Sequence, residues 1–130
     1  MQKPNIFGIG VDIVEIGRIE RLAKARGNFL KRVFSEEEIR YCRSKARKWQ
    51  HFAVRFAAKE AVWKALGGRG KGIRLRDILV RRDAFGKPKV VFRRVSKLPE
   101  PLELELSLAH SDNYAVAAAI ATCRRPKPSR

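Results

Sequence analysis

Hydrophobic and polar positions change rhythm along the chain, and each rhythm predicts an element. From Ile6 to Ile16 they alternate, with Phe7, Ile9, Val11 and Ile13 on one face and Gly8, Gly10, Asp12 and Val14 on the other. That period of two is a strand. The stretch "GRIERLAKARG" predicts a short basic helix from about Arg18 to Arg26, closed by Gly27. Ser35 opens a second helix: Ser35 and Glu38 fit a capping box, acids fill the first turn and bases the last. "FAVRFAAKEAVWKALGG", Phe52 to Gly68, predicts a third that is apolar nearly all round, and such a helix is usually buried. It nevertheless carries Arg55, Lys59, Glu60 and Lys64.

Beyond Gly72 the chain turns to strands. "DILVRR" and "PKVVFRR" flank "DAFGK", a hairpin-length turn containing Gly86. "LELELSLAH" alternates strictly, placing Leu104, Leu106, Leu108 and His110 on one face. After the turn "SDN", the small residues of "YAVAAAIAT" predict a strand covered on both sides. Helices first and a mostly antiparallel meander afterwards point to an α+β fold. With 130 residues, no internal repeat and no clear linker, the expectation is a single domain over 1–130, ending in a loose basic tail at 124–130.

Charge narrows the list of partners. Thirty Lys and Arg stand against 13 Asp and Glu, a formal +17, which speeds encounter with anions. Nucleic acid, an acidic protein, an anionic membrane surface and a polyphosphate ligand all satisfy that field. No run is long and apolar enough to cross a bilayer, and "MQKPNIFGIG" lacks a signal-peptide layout. Cys42 and Cys123 lack C-x-x-C spacing and read as buried or incidental thiols of a cytoplasmic protein.

A few constellations carry possible chemistry. Gly8 and Gly10 beside Asp12 suggest a close approach to the backbone, by a packed helix or by a ligand. A dinucleotide fingerprint fails, because Ile13 stands where the third glycine belongs. Glu60 and Lys64 lie one turn apart, as in an ordinary surface ion pair. On an apolar helix, however, an unpaired carboxylate is costly and calls for a cation, a metal or a phosphate-bearing ligand nearby. "GGRGKG" fails the phosphate-loop template and reads as a helix C-cap and loop. His110 ends a leucine-faced strand, and with His51 the only other histidine, clustered zinc ligation is disfavoured. No G-x-S-x-G elbow is present.

Taken in order, "GIGVDIVEI", "FAAKEAVWKALG", "GKP" at Gly86–Pro88 and "LSLAHSDNYAVAAAI" resemble the holo-acyl-carrier-protein synthase family of 4'-phosphopantetheinyl transferases. The resemblance implies that family's α+β fold. It implies transfer of the phosphopantetheine arm of coenzyme A to a serine of an apo acyl carrier protein in fatty acid biosynthesis, releasing adenosine 3',5'-bisphosphate. It assigns Mg2+ to Asp12 and Glu60, the pyrophosphate to Lys64, and the coenzyme A site to Arg55, Gly67 and His110. Glu60, directly or through a metal-bound water, is then the base. It also implies a homotrimer with sites between subunits. "WQHF", the "GGRGKG" loop and the basic tail depart from the family pattern.

The family's carrier proteins are acidic, so Arg18, Arg21 and Arg26, with Leu22 between them, are the expected docking surface. A basic nucleic-acid-binding protein without catalysis is the alternative, and a carrier-binding protein without metal chemistry a third. "VVFRRV" and "ILVRR" offer few aromatics among their basic residues, and neither alternative accounts for Asp12 and Glu60.

Overall fold

A computed structural model describes residues 5–95, 98 and 101–123; the tail at 124–130 lies outside them. Strand β1 (Asn5–Glu15) leads into four helices: α1 (Ile16–Ala25), α2 (Phe29–Val33), α3 (Glu36–Arg43) and α4 (Lys48–Leu66). Two short 3-10 turns, Gly67–Gly70 and Leu75–Asp77, precede β2 (Ile78–Arg82), β3 (Pro88–Phe92), β4 (Leu102–His110) and β5 (Tyr114–Cys123). The α+β layout follows the expected order. The principal sheet runs β1-β5-β4, all antiparallel, and β2-β3 form a separate hairpin. The first strand thus pairs with the last.

Helix α4 lies across the inner face of this sheet, and small residues on both sides make the fit possible. A Cβ at Gly8 would sit 1.8 Å from the Ala65 carbonyl oxygen, and one at Gly10 1.8 Å from that of Ala61. Ala115, Ala117, Ala119 and Ala121 of β5 continue the same floor and are buried. Phe34 and Phe52 complete the core with an edge-on ring contact at 5.1 Å.

Two expectations change. A register shift between Ile6 and Gly8 removes Phe7 from the outer face and packs it against the core. Among the described residues, β5 is covered on its inner face alone. On the outer face Ile9 pairs with Ile120, Val11 with Ala118 and Ile13 with Val116. Yet Ile9, Val11 and Ile13 remain 65, 60 and 64% exposed. From Gly8 to Val14 the alternation of faces holds, and the outer face has no partner among the described residues.

The capping box on α3 is present: Ser35 Oγ accepts from Glu38 N, and Glu38 Oε1 accepts from Ser35 N. Glu38 also reaches into the core. Its Oε1 accepts from Lys59 Nζ at 2.7 Å and its Oε2 from Val80 N at 2.9 Å. Lys59 donates further to the carbonyls of Leu75 and Ile78. A buried ion pair is tolerable when the remaining hydrogen-bond capacity is filled in this way.

The glycine contacts give the first test. Gly10→Ala forces a methyl into the Ala61 carbonyl and should cost about 3 kcal/mol or more, since backbone must move. Gly27, with nothing near its Cβ position, should accept Ala with a gain of about 0.4–1 kcal/mol. Chemical denaturation of both variants checks this; equal stability of the two would contradict the close packing.

Candidate active site

Where Gly8 and Gly10 let α4 settle on β1, Asp12 comes next along the strand and meets the helix. Lys64 Nζ donates to Asp12 Oδ1 at 3.2 Å and to the Val11 carbonyl at 3.1 Å. The Asp12 side chain is mostly buried, that of Lys64 half exposed. Glu60 lies one turn before Lys64. Burial, and after it the negative charge of Asp12, raise the Glu60 carboxyl above its ordinary range, while Lys64 pulls the other way. The lysine therefore serves Asp12 rather than closing a simple ion pair with Glu60. The result is two carboxylates and one ammonium at an open edge of the core.

Those two carboxylates supply only oxygen donors. Among the described residues no cluster of three or more His, Cys, Asp or Glu exists. A cation held here would need the rest of its shell from a ligand or water, which suits a hard ion such as magnesium and not zinc.

Arg55 and His110 also come together, but elsewhere. They line a recess of about 240 Å³ with Gln50, His51, Val54, Arg82, Leu108 and Ala109. A neighbouring recess of about 290 Å³, between Glu37, Tyr41 and Val80, shares Arg55 and Arg82. Arg55 is 4% exposed; its guanidinium lies 4.4 Å over the Tyr41 ring and donates to the His51 carbonyl. The Gln50 amide donates to His110 Nε2 at 3.1 Å. Burial, then Arg55 and further cations, push the His51 pKa down, the mark of a positive recess with little compensating acid. Such a recess suits phosphate or another anion.

Within one chain the two clusters do not meet. Arg55 and Glu60 are five residues apart, about 140° around the helix. Neither recess is lined by Asp12, Glu60 or Lys64. Gly67 caps α4 with φ +59°, donating to the Lys64 carbonyl, so it holds the end of the lysine's turn in place. Arg18 and Arg21 on α1 and Arg26 at its C-cap are exposed, and Leu22 is half-buried; Arg21 is engaged with Glu15 at 2.9 Å. His110 ends its strand exposed, although Leu106 on the same face is buried.

Sequence reasoning missed Lys59, Tyr41, Gln50 and Arg82. The helix cap accounts for Glu38 locally, and nothing in the local pattern signals that Lys59 and Val80 N also bond to Glu38. The pairing of Lys59 with it depends on a contact 21 residues away.

Comparison with known proteins accords with this geometry. Residues 8–119 match the family model described as the 4'-phosphopantetheinyl transferase superfamily. A holo-[acyl-carrier-protein] synthase of Ehrlichia ruminantium (strain Welgevonden) is 49% identical over 123 residues, 88% of this chain and 95% of the relative. One from Chlamydia trachomatis serovar L2 is 45% identical over 125 residues, 89% and 99% of the two chains. The crystal structure of the Bacillus anthracis holo-(acyl-carrier-protein) synthase in complex with CoA (3',5'-ADP) superposes with a TM-score of 0.76 at 36% identity, covering 91% of this chain and 97% of that one. This α+β domain is thus that of a transferase, and the chain belongs to the 4'-phosphopantetheinyl transferase superfamily. Within it, its place is among the holo-acyl-carrier-protein synthases.

The crowded carboxylates predict a trade between stability and site. Glu60→Gln removes a poorly solvated charge beside Asp12 and should raise the metal-free melting temperature. Lys59→Met instead strands the Glu38 carboxylate and should cost about 3–5 kcal/mol. Thermal and denaturant melts decide both; a destabilised Glu60→Gln would mean that its charge is already neutralised within the fold.

Proposed function

We propose that this chain transfers the 4'-phosphopantetheine arm of coenzyme A to a serine of an apo acyl carrier protein, releasing adenosine 3',5'-bisphosphate. The observation that carries the reading is Lys64 bonded to Asp12 beside a carboxylate, Glu60, whose pKa is raised. The names of the relatives, and the CoA complex among the superposed structures, support the same substrates.

The chemistry follows from those groups. Arg55 and His110 hold the phosphorylated nucleotide end of coenzyme A. Lys64 directs its ammonium at the pyrophosphate. The serine oxygen forms a bond to the β-phosphorus as the bridging P–O bond breaks toward the bisphosphate. Glu60 takes the serine proton; a carboxyl raised toward the working pH is the better base. Asp12 and Glu60 would hold Mg2+, which when bound neutralises charge on the pyrophosphate and the leaving group.

The reading also calls for a second copy. One coenzyme A cannot touch two clusters on different sides of α4 unless a neighbour supplies one of them. The outer sheet face offers a surface for such a neighbour: Ile9, Val11, Ile13 and Ile120 are far more apolar than water tolerates on an idle face. We infer the homotrimer of the family, with each site shared by two subunits. The partner is an acidic carrier protein, the compartment the cytoplasm, and the docking surface Arg18, Arg21, Leu22 and Arg26.

Incubation with apo carrier protein, coenzyme A and Mg2+ should increase the carrier's mass by one phosphopantetheine. Asp12→Ala and Glu60→Ala should each lower turnover about 100-fold or more, and Mg2+ should raise the melting temperature of the wild type but not of either variant. Near-normal turnover of Asp12→Ala at low Mg2+ would sink the metal assignment.

Sharing of sites has its own test. Arg55→Ala and Glu60→Ala proteins, each inactive, should regain activity when unfolded and refolded together, because some mixed sites carry neither lesion. Val11→Asp should leave monomers in sedimentation. No recovery on mixing would place the whole site in one chain.

Docking is tested by charge. Reversal of Arg18 and Arg21 to Glu should raise the carrier Michaelis constant and flatten its salt dependence, leaving that of coenzyme A unchanged. Equal damage to both constants would assign these arginines to the fold or the nucleotide.

A further inference from the structure

Helix α4 is buried along most of its length, and its solvent window is narrow. From Phe52 onward only Phe56 and Glu60 are half-buried, and only Trp63 and Lys64 exposed. At about 100° per residue, Trp63 lies about 60° to one side of Glu60 and Lys64 about 40° to the other. The N-terminal part of this window is covered where Phe29 of α2 packs on Phe56, ring centroids 6.3 Å apart. What stays open is Glu60 with a lysine on one flank and an indole on the other. Trp63 is 41% exposed. Gly70 lies against it: a Cβ there would be 3.5 Å from Trp63 Cδ1.

An indole left open beside a base and a phosphate-binding lysine has a chemical counterpart in the substrate. In coenzyme A the first apolar group beyond the transferred phosphate is the dimethyl carbon of the pantoyl unit, one methylene from the ester oxygen. With the phosphate against Lys64, that branched carbon lies within reach of a side chain next to the lysine. A flat, rigid aromatic offers it a large contact at low entropic cost.

We propose that Trp63 is a specificity-determining residue that seats the dimethyl segment of the pantetheine arm and so aligns the transferred phosphorus with Glu60. The inference rests on the transfer reaction proposed above. The indole discriminates coenzyme A by its arm, whereas Arg55 and His110 recognise the nucleotide end. The side chain serves binding and alignment, and takes no part in proton transfer.

The test separates arm from nucleotide. Trp63→Ala should raise the Michaelis constant for coenzyme A about tenfold, the scale of one lost branched apolar contact. The inhibition constant of adenosine 3',5'-bisphosphate, which lacks the arm, should not move. Trp63→Phe should recover most of the loss. In wild type, coenzyme A should change tryptophan emission and the bisphosphate should not, with the change absent in Trp63→Phe although Trp49 remains.

Equal loss of affinity for coenzyme A and the bisphosphate would overturn the proposal. So would a rise confined to the carrier Michaelis constant, or dissociation of the assembly in sedimentation, which would make Trp63 a carrier or subunit contact. The emission titration needs no carrier protein. A wild type that never modifies a carrier but reports the arm by fluorescence therefore loses the proposed reaction and keeps the site; an active wild type with unresponsive emission loses only the role of Trp63.

Discussion

The approach of α4 to β1 is the constraint on which the rest of this structure depends. Gly8 and Gly10 bring the strand against the Ala65 and Ala61 carbonyls at a separation no side chain would permit. The contact makes β1 a wall for the helix and leaves β5 between β1 and β4. It also fixes where Asp12 goes: two residues after the last glycine, on the same strand face, it arrives under Lys64. A looser fit would separate strand and helix by the width of a methyl group, and the carboxylate and ammonium would no longer be in hydrogen-bond reach.

A second interaction sets how α4 is turned about its own axis. Lys59 is fully enclosed and gives its three donors to Glu38, Leu75 and Ile78. Burial pushes its pKa down and the Glu38 carboxylate draws it back up, so the pair resists separation in either direction. With Lys59 anchored toward α3 and β2, the adjacent Glu60 is turned to the open edge. The four charges on an apolar helix thus fall into three roles. Lys59 holds the fold, Arg55 lines a recess and stacks on Tyr41, and Glu60 and Lys64 meet Asp12.

The outer face of β1 is left apolar and exposed among the described residues. The recess at Arg55 and the carboxylates at Glu60 point different ways, and a domain with one central helix cannot bend to join them. Association through Ile9, Val11 and Ile13 is a route by which one copy's recess can face another copy's carboxylates. The exposed apolar residues and the charged Asp12–Lys64 contact lie on opposite faces of the same strand β1.

Much of this was written in local pattern. Alternation placed β1 and β4, the Ser35–Glu38 spacing placed α3, and Gly8-x-Gly10-x-Asp12 announced a close approach beside a carboxylate. Local periodicity suffices there because a strand's two faces and a helix's first turn are set by neighbouring residues. The resemblance to a transferase family rested on the same short motifs, and comparison across residues 8–119 agrees with it. Local pattern does not report what lies across space. Helical spacing alone offers Glu60 as a partner for Lys64, whereas the fold gives the lysine to Asp12, 52 residues away in sequence. It counted Lys59 beside Arg55, although its counterion, Glu38, waits on another helix, and it covered both faces of β5 where the described residues cover one. Pairing of charges and exclusion of water are properties of packed surfaces, and those exist only once the chain has closed on itself.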